Sequence, residues 1–285
     1  MQKLFNNILV PVDFTRFSKK AIESAVETAN VYDCHVHLLH VSAISSLVSV
    51  AVAEGHVFVP ENITDNQKEL EYKLENLKNE CQQLLENKRS VFAYVAKGLW
   101  NETIIDSVLS HKIDLVIIGQ QGRSFRKRKM LFDANKIAQK TNIPVITIPE
   151  NRRLTGLTSI VIPITDFLPV KKLMYGVYIA QQFNATIRLL GVEDSKDIYQ
   201  VKKVQHYLKK SFQLIRDNCT VPVEMASTSG RNVADAVNNY AFKSAADLII
   251  INPGKQTRMP GFFAPLLGKF LQKFSAPPVL TVNPV

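Results

Sequence analysis

The first residues of the chain that could do chemistry stand directly after an apolar run near the N-terminus. Asp13, Thr15 and Ser18 follow the run Ile8–Val12. A carboxylate at the end of a strand can accept hydrogen bonds from an adenine amine or a ribose hydroxyl. Asp and Thr are also common helix N-caps, so a capping role for Asp13 or Thr15 is the alternative.

A second candidate is a pair of glycines after a later apolar run. Gly119 and Gly122 follow Leu115–Ile118, and Arg123 and the cationic segment Arg126–Lys129 come next. Glycines at the end of a strand let the backbone approach a phosphate, which the following amides can hold. The same cationic segment is otherwise typical of a solvated loop.

The remaining polar residues indicate neither a metal site nor a catalytic site. One apolar run carries Cys34, His35, His37 and His40, but alternation along a strand divides them two to a face. Cys81 lies on the apolar stripe of a helical pattern. The sequence has no G-x-S-x-G elbow, H-E-x-x-H helix or Walker A loop. We therefore expect no bound metal and no enzymatic activity.

These candidate residues belong to a chain that consists of a doubled unit. The string Ile8–Phe14 recurs as Ile160–Phe167, and Asp114–Ile118 recurs as Asp247–Ile251. Internal repetition of this kind indicates two copies of one domain. Each half also closes with a proline-led apolar run, which is Pro144–Ile148 in the first half and Pro278–Val282 in the second. Each half has a glycine before a helical pattern, which is Gly98 in the first half and Gly230 in the second.

The two copies differ in length. Pro11 and Pro163 are 152 residues apart, whereas Asp114 and Asp247 are 133 residues apart. The first copy is therefore longer between these anchors, and we assign the extra length to an insertion at 42–64.

The polar stretch 150–153 reads as a linker, which gives domains 1–149 and 154–285. Inside the insertion, apolar residues at helical spacing predict a short helix over 43–53 that packs on the partner domain or covers the cleft of the first domain. A mobile surface excursion is the alternative.

Short β-branched runs alternate with amphipathic helical patterns in each half. Near-continuous apolar strands indicate a parallel sheet covered on both faces by crossover helices. Each half is therefore predicted to be a doubly wound α/β domain, whose ligands lie beyond the carboxyl ends of the strands. In the first half, we predict strands near 7–12, 35–41, 91–96, 114–118 and 144–148, and helices near 17–30, 66–87, 101–110 and 131–140.

Composition and charge narrow the class of protein. The chain has 285 residues, of which 46% are hydrophobic and 21% charged, as in globular proteins. Its net charge of +10 lies mostly in residues 151–285, which hold 17 Lys and Arg against 8 Asp and Glu. Three cysteines cannot form a disulfide framework, and the sequence has no signal peptide or membrane span. We expect a cytoplasmic protein with neither a membrane nor a nucleic acid as its partner.

Four motifs in order resemble the universal stress protein family: ILVPVDFTRFSKKA, the strand ending His40-Val41, DLVIIGQQG and the run IPVITI. The resemblance covers both halves apart from 42–64, so the chain resembles a tandem form with two fused family domains. It implies for each domain a five-stranded parallel sheet in the order 3-2-1-4-5, of the adenine nucleotide alpha hydrolase-like type. It also implies an intramolecular pseudo-dimer with Val145–Ile148 beside Val279–Val282, and it leaves a homodimer of chains open.

One branch of that family binds ATP, and the resemblance carries its site to this chain. The phosphate motif of that branch reads G-x2-G-x9-G-[S/T]. The nucleotide-binding residues implied for this chain are Pro11, Val12, Asp13 and Val41 on the adenosine side and Gly119 and Gly122 on the phosphate side.

The chain departs from that motif at its final pair. Phe132-Asp133 stands where G-[S/T] should be, or Leu131-Phe132 if one deletion is allowed. A bulky Phe132 would occupy space that the phosphates need, and Asp133 would repel them. We expect Arg123 and its neighbouring cations to replace part of the lost contacts.

The second half departs further. Thr165 stands at the position of the first-strand aspartate, unless one inserted residue brings Asp166 there, and the glycine pair is replaced by Asn252-Pro253-Gly254-Lys255. We expect the second domain not to bind ATP in the manner of the family.

The expected function is therefore a non-catalytic stress-response module with a degenerate adenine-nucleotide pocket, for ATP or AMP, in the first domain. The alternative is a nucleotide-independent scaffold of the branch that does not bind ATP, with an unidentified protein partner. A side chain such as Phe132 in the space beyond the glycines would favour that alternative. An ATP-consuming enzyme is a third reading, which depends on fold analogy alone.

Overall fold

The computed structural model describes residues 3–42, 62–86, 88–120, 132–194, 196–230, 233–253 and 276–284, with side chains from residue 67 onward in the second of these ranges. The five strands and four helices that were predicted in the first repeat outside the insertion are present. Its elements are β1 (Asn7–Pro11), α1 (Arg16–Tyr32), β2 (His35–Ser42), α2 (Asn62–Leu84), β3 (Val91–Lys97), α3 (Trp100–Ser110), β4 (Leu115–Gly119), α4 (Ala134–Thr141) and β5 (Val145–Ile148).

The second repeat has the same alternation of strands and helices. Within the described part of the chain, no helix has the length and apolar character needed to cross a membrane. The elements of the second repeat are β6 (Ser159–Ile164), α5 (Val170–Phe183), β7 (Thr186–Glu193), α6 (Ile198–Asn218), β8 (Val223–Ser229), α7 (Val233–Lys243), β9 (Leu248–Ile251) and β10 (Val279–Thr281).

Contacts divide the described residues into two compact units. The first unit holds the described residues up to Gly119 together with Phe132 and Asp133. The second unit holds Gln120 and the described residues from Ala134 onward. Strand β5 falls in the second unit because it pairs with β10, although the sequence repeat assigns it to domain 1–149.

In the first unit, parallel strands lie in the order β3-β2-β1-β4. Pro11 stands beside Leu39, so β1 and β2 reach their carboxyl ends at the same edge of the sheet. The central strands are apolar and fully buried, with Leu9 and Leu115 at 0% exposure, because helices cover both faces.

In the second unit, the order is β5-β10-β9-β6-β7-β8. The part β8-β7-β6-β9-β10 is the order 3-2-1-4-5 of the second repeat, and the predicted doubly wound α/β fold with this strand order is confirmed. The predicted pairing of the two last strands is also confirmed: β5 and β10 are antiparallel, with Ile146 opposite Leu280. All other strand pairs of the unit are parallel.

Helix α1 approaches the sheet closely because its inner face is made of small residues. Ala21, Ala25 and Ala29 follow one another at a spacing of four and are all at 0% exposure. Asp33 caps the helix, and its left-handed backbone (φ 58°) turns the chain so that the N–H of Cys34 also donates to the carbonyl of Ala29, at 3.0 Å.

Helix α2 begins at Asn62, inside the range 42–64 that was assigned to the insertion and four residues before its predicted start. The helix predicted over 43–53 lies outside the described residues.

Candidate functional site

The carboxyl end of β1 leads into α1 through a turn that Asp13 and Thr15 form together. Asp13 Oδ1 accepts hydrogen bonds from the backbone N–H of Thr15 at 3.1 Å and from its hydroxyl at 2.6 Å. Thr15 is the N-cap of α1, and its side-chain oxygen accepts from the N–H of Ser18 at 3.5 Å. The capping residue is therefore Thr15, and the half-buried Asp13 carboxylate orients it.

The other positions expected on the adenosine side are buried parts of the sheet edge. Pro11, Val12 and Val41 are all buried. The N–H of Val12 donates to the carbonyl of Leu39 at 2.8 Å, which continues the pairing of β1 with β2 by one residue. The carbonyl of Val12 accepts from Nδ1 of His40 at 2.7 Å. Both backbone polar groups of Val12 are thus hydrogen-bonded within the protein.

Gly119, the first glycine of the expected phosphate motif, ends β4 against the first turn of α1. A Cβ atom at this position would overlap the backbone carbonyl of Phe17. A side chain is therefore excluded here by helix–sheet packing. This requirement for glycine holds whether or not a phosphate binds.

An aromatic cluster of Phe14, His40, Trp100 and Phe132 lies at the carboxyl edge of the first unit. The ring centroids of Phe14 and His40 are 4.9 Å apart, and Trp100 meets His40 edge-on at 5.6 Å. Phe132 meets Trp100 edge-on at 5.0 Å and is 5% exposed. Edge-to-face pairs at these distances are favourable, so the four rings support one another.

A hydrogen bond of the next residue, Asp133, also fixes the position of Phe132. The backbone N–H of Asp133 donates to Oδ1 of Asn101 in α3 at 2.8 Å. Gly122, Arg123 and the segment 126–129 lie outside the described residues, so their part in a phosphate site stays a prediction.

In the second unit, a lysine fills the corresponding strand end. Lys172 in α5 is 1% exposed, and its Nζ donates to the carbonyl of Pro163 at 2.6 Å. Burial lowers the pKa of Lys172 from 10.5 to about 7, because an ammonium group loses its hydration there. Asn252 occupies the place that Gly119 has in the first repeat, and its Nδ2 donates to the carbonyl of Val282 at 2.7 Å.

The histidines of β2 make contacts on opposite faces of the strand, as alternation predicts. His37 Nε2 donates to Oδ1 of Asn7 and its Nδ1 accepts from the hydroxyl of Tyr94, both at 3.2 Å. Burial, and then the neighbouring His111 and His35, lower the pKa of His37 to about 4. Among the described residues, no group of three or more His, Cys, Asp or Glu side chains is placed to hold a metal ion.

Two of the cysteines, Cys34 and Cys81, have thiols of low reactivity. Cys34 and Cys81 are buried free cysteines, and burial raises their pKa to about 12 and about 11 respectively. A thiolate is the reactive form, so neither residue is suited to act as a nucleophile.

The sequence did not single out Trp100 or Lys172. Trp100 follows Gly98, whose N–H donates to the carbonyl of Ser42 at 3.2 Å, just as the N–H of Gly230 donates to that of Glu193 at 3.0 Å. The predicted correspondence of Gly98 and Gly230 is thus confirmed, and it would have pointed to Trp100 as a residue at the strand ends. Lys172 gave no signal, since it stands beside Lys171 in a segment that reads as solvated.

Comparisons with known proteins give the same result as the motifs. The model of the universal stress protein family matches residues 4–149, which is half of the chain. Universal stress protein YxiE of Bacillus subtilis (strain 168) is 31% identical over 156 residues, which are 51% of this chain and 99% of that protein.

Solved structures extend the likeness in fold to both repeats. A universal stress protein from Archaeoglobus fulgidus superposes with a TM-score of 0.68 at 16% identity, covering 100% of both chains. A functionally unknown protein from Pseudomonas aeruginosa PAO1 superposes with a TM-score of 0.59 at 17% identity, covering 99% of this chain and 94% of that one. The match to the family model and the 31% identity to YxiE together decide the family. The chain belongs to the universal stress protein family.

Proposed function

We propose that this protein is a non-catalytic stress-response module of the cytoplasm whose first domain binds the adenosine part of an adenine nucleotide and excludes the outer phosphates. The observation that carries the proposal is the burial of Phe132 against Trp100. Phe132 stands where the family resemblance expects the G-[S/T] pair that holds those phosphates. The free cysteines favour a reducing compartment.

The adenosine side of the pocket keeps its chemistry. Pro11, Val12 and Val41 are buried apolar residues at this edge of the sheet, and an apolar edge suits an adenine ring. Asp13 provides a half-buried carboxylate whose orientation Thr15 fixes through two hydrogen bonds. A preorganised acceptor of this kind can bind a ribose hydroxyl without losing further side-chain entropy.

At the position of the G-[S/T] pair, the described residues offer the phosphates neither room nor donors. A phenylalanine offers no hydrogen bond to a phosphate, and Phe132 is fixed by its contact with Trp100. Asp133 is exposed beside it and would repel a polyphosphate. The chain should therefore prefer adenosine or AMP to ATP.

The second domain should not bind a nucleotide in the same manner. The buried amine of Lys172 and the side chain of Asn252 occupy its strand ends and are hydrogen-bonded to backbone carbonyls. The two domains would act together as an intramolecular pseudo-dimer through the pairing of β5 with β10.

The test is isothermal titration of the full chain with adenosine, AMP, ADP and ATP. We expect the Kd for AMP to lie below that for ATP. Tighter binding of ATP than of AMP would contradict the exclusion of the outer phosphates. Phosphate release from ATP should stay at the background rate; release that Asp13→Asn abolishes would contradict a non-catalytic role.

Two variants locate the pocket. Asp13→Asn keeps an oxygen for Thr15 but removes the charge, and should weaken AMP about tenfold, the effect of one lost charged hydrogen bond. Phe132→Ser introduces a small hydroxyl side chain and should raise the affinity for ATP relative to AMP. The ratio of the two affinities is the readout, since the loss of a buried ring also lowers stability.

A nucleotide-independent scaffold is the second candidate. The observation that favours it is the same filled strand end, with Phe132 buried and the space beside Gly119 taken by Phe17. Millimolar nucleotides that give neither heat nor a thermal shift would contradict the nucleotide pocket and favour this second function.

A further inference from the structure

Among the described residues, no strand pairs with the outer edge of β8 in the second unit. β8 is the terminal strand of its sheet. The N–H of Ile187 donates to the carbonyl of Pro222, and the N–H of Gly230 donates to that of Glu193. These two bonds determine which residues of β8 direct their backbone N–H and carbonyl groups toward β7. The backbone groups of Val223, Met225, Ser227 and Ser229 therefore point away from β7.

Nothing in the sequence of β8 blocks this edge. Sheet edges are commonly protected by proline, by inward-pointing charges or by bulges. β8 has no proline, and its only charged side chain, Glu224, is paired with Arg188 at 2.8 Å. A strand of seven residues is thus available for pairing.

A groove of about 310 Å³ lies between α6 and this edge. On α6, lining residues recur at helical spacing and face Met225 of β8, which is 44% exposed. The guanidinium of Arg216 lies 5.5 Å from the ring of Phe212, so the groove has an apolar part under a cation. Its lining is Lys209, Phe212, Gln213, Arg216, Asp217 and Met225.

The net charge beside the groove is positive. Helix α6 carries five Lys and Arg residues and one acidic residue, Asp217. Among the described residues, the ion pairs present do not include Lys209 or Arg216. The two cations can therefore attract an anionic partner, since neither forms an ion pair with a carboxylate of the described residues.

We propose that this groove binds an extended acidic peptide segment of a partner protein as an additional strand along β8. The peptide backbone would pair with the outward groups of Met225 and Ser227, which is the usual mode of strand addition. Carboxylates at peptide positions i and i+4, which share one face of the added strand, would reach Lys209 and Arg216, and an apolar side chain at i+2 on that face would enter the groove beside Phe212.

The edge and the acid in the groove favour a peptide over a nucleic acid. A nucleic acid has no backbone N–H groups to pair with the carbonyls of β8. A peptide amide or hydroxyl can instead donate to Asp217. The surface is independent of the proposed nucleotide pocket, so the two proposals fail or succeed separately.

The first test determines whether the positive charges of Lys209 and Arg216 are needed for peptide binding. A fluorescein-labelled peptide Ser-Glu-Thr-Leu-Thr-Glu-Ser, which as a strand places both Glu side chains and the Leu side chain on one face, is titrated with the full chain and followed by fluorescence anisotropy. Lys209→Glu/Arg216→Glu should weaken binding at least about tenfold, because two attractive contacts become repulsive. Lys202→Glu/Lys203→Glu changes the net charge equally on the same helix and should retain most of the binding. Equal loss in both variants, or no binding by the unmodified chain, overturns the proposal.

The second test determines whether the peptide pairs through backbone hydrogen bonds with the outer edge of β8. Ser227→Pro removes an outward N–H and keeps the bonds to β7, a position where edge strands accept proline. It should abolish peptide binding although Lys209 and Arg216 remain, with the thermal transition confirming a folded protein. Binding that survives Ser227→Pro overturns strand addition. Tighter binding of a single-stranded oligonucleotide than of the peptide also overturns the proposal, as does a dimer that Ser227→Pro converts to a monomer.

Discussion

The carbonyl oxygen of Phe17 occupies the position that a Cβ atom on Gly119 would need. The glycine at the end of β4 is therefore a consequence of the close approach of α1, which its alanine face allows. A glycine at a strand end of this fold is consistent with phosphate binding, but here packing alone already requires it.

Gly119→Ala should destabilise the protein by roughly 3 kcal/mol, since a methyl group is forced against backbone that cannot give way. Urea denaturation measures the loss. Gly156→Ala is the matched control: Gly156 has φ +66° and nothing within 4 Å of a new Cβ, so only backbone strain of about 1 kcal/mol is expected. Equal losses in the two variants would contradict the steric account.

Thr15→Ala should lower the free energy of unfolding by about 1 kcal/mol, because it removes the N-cap of α1 and a partner of Asp13. Thr15→Ser retains the hydroxyl and should recover most of the loss. Chemical denaturation of the three proteins checks the order, and a Ser variant as weak as the Ala variant would show that the hydroxyl is not the cause.

His37 should make the protein sensitive to acid. Its pKa is about 4 in the folded state against an ordinary 6.5, so an unfolded chain takes up a proton over this range while the folded one does not. Stability should therefore fall as the pH drops from 6.5 to 4, by at most about 1.4 kcal/mol per pH unit from this group. His37→Gln keeps a donor for Asn7 and should show a shallower decline in denaturation curves; parallel declines would exclude His37 as the source.

Lys172 should make the stability of the protein depend on pH above neutrality. Its pKa is about 7 in the folded state against 10.5, so between these values only the unfolded chain holds the proton. Stability should therefore rise with pH from 7 to 10.5, with a slope from this group of at most about 1.4 kcal/mol per pH unit.

Lys172→Met fills the same space without an amine and should flatten that rise. Lys243→Met, at an exposed position in α7, accounts for the general loss of one positive charge. A rise in stability that is as steep in Lys172→Met as in the unmodified chain would show that the buried amine does not titrate in this window.

The sequence by itself determined the doubled architecture and the places of its elements. The strand predicted near 114–118 is Leu115–Gly119, and the helix predicted near 17–30 is Arg16–Tyr32. These predictions succeed because the apolar period of a segment reports which of its faces is buried. The ends of helices and strands are predicted less accurately than their centres, because the fraying and capping of a terminus depend on a few local bonds. The start of α2 at Asn62, four residues before its predicted start, is an example.

Only the tertiary structure decided which side chains meet at the strand ends. His40, Trp100 and Phe132 are far apart in the chain, and no period within one segment predicts that their rings touch. Lys171 and Lys172 are neighbours with the same side chain, yet Lys172 is 1% exposed and Lys171 is half-buried. The rotation of α5 against β6 places one amine at the carbonyl of Pro163 and the other at Asn142, and that rotation is set by packing over the whole helix face.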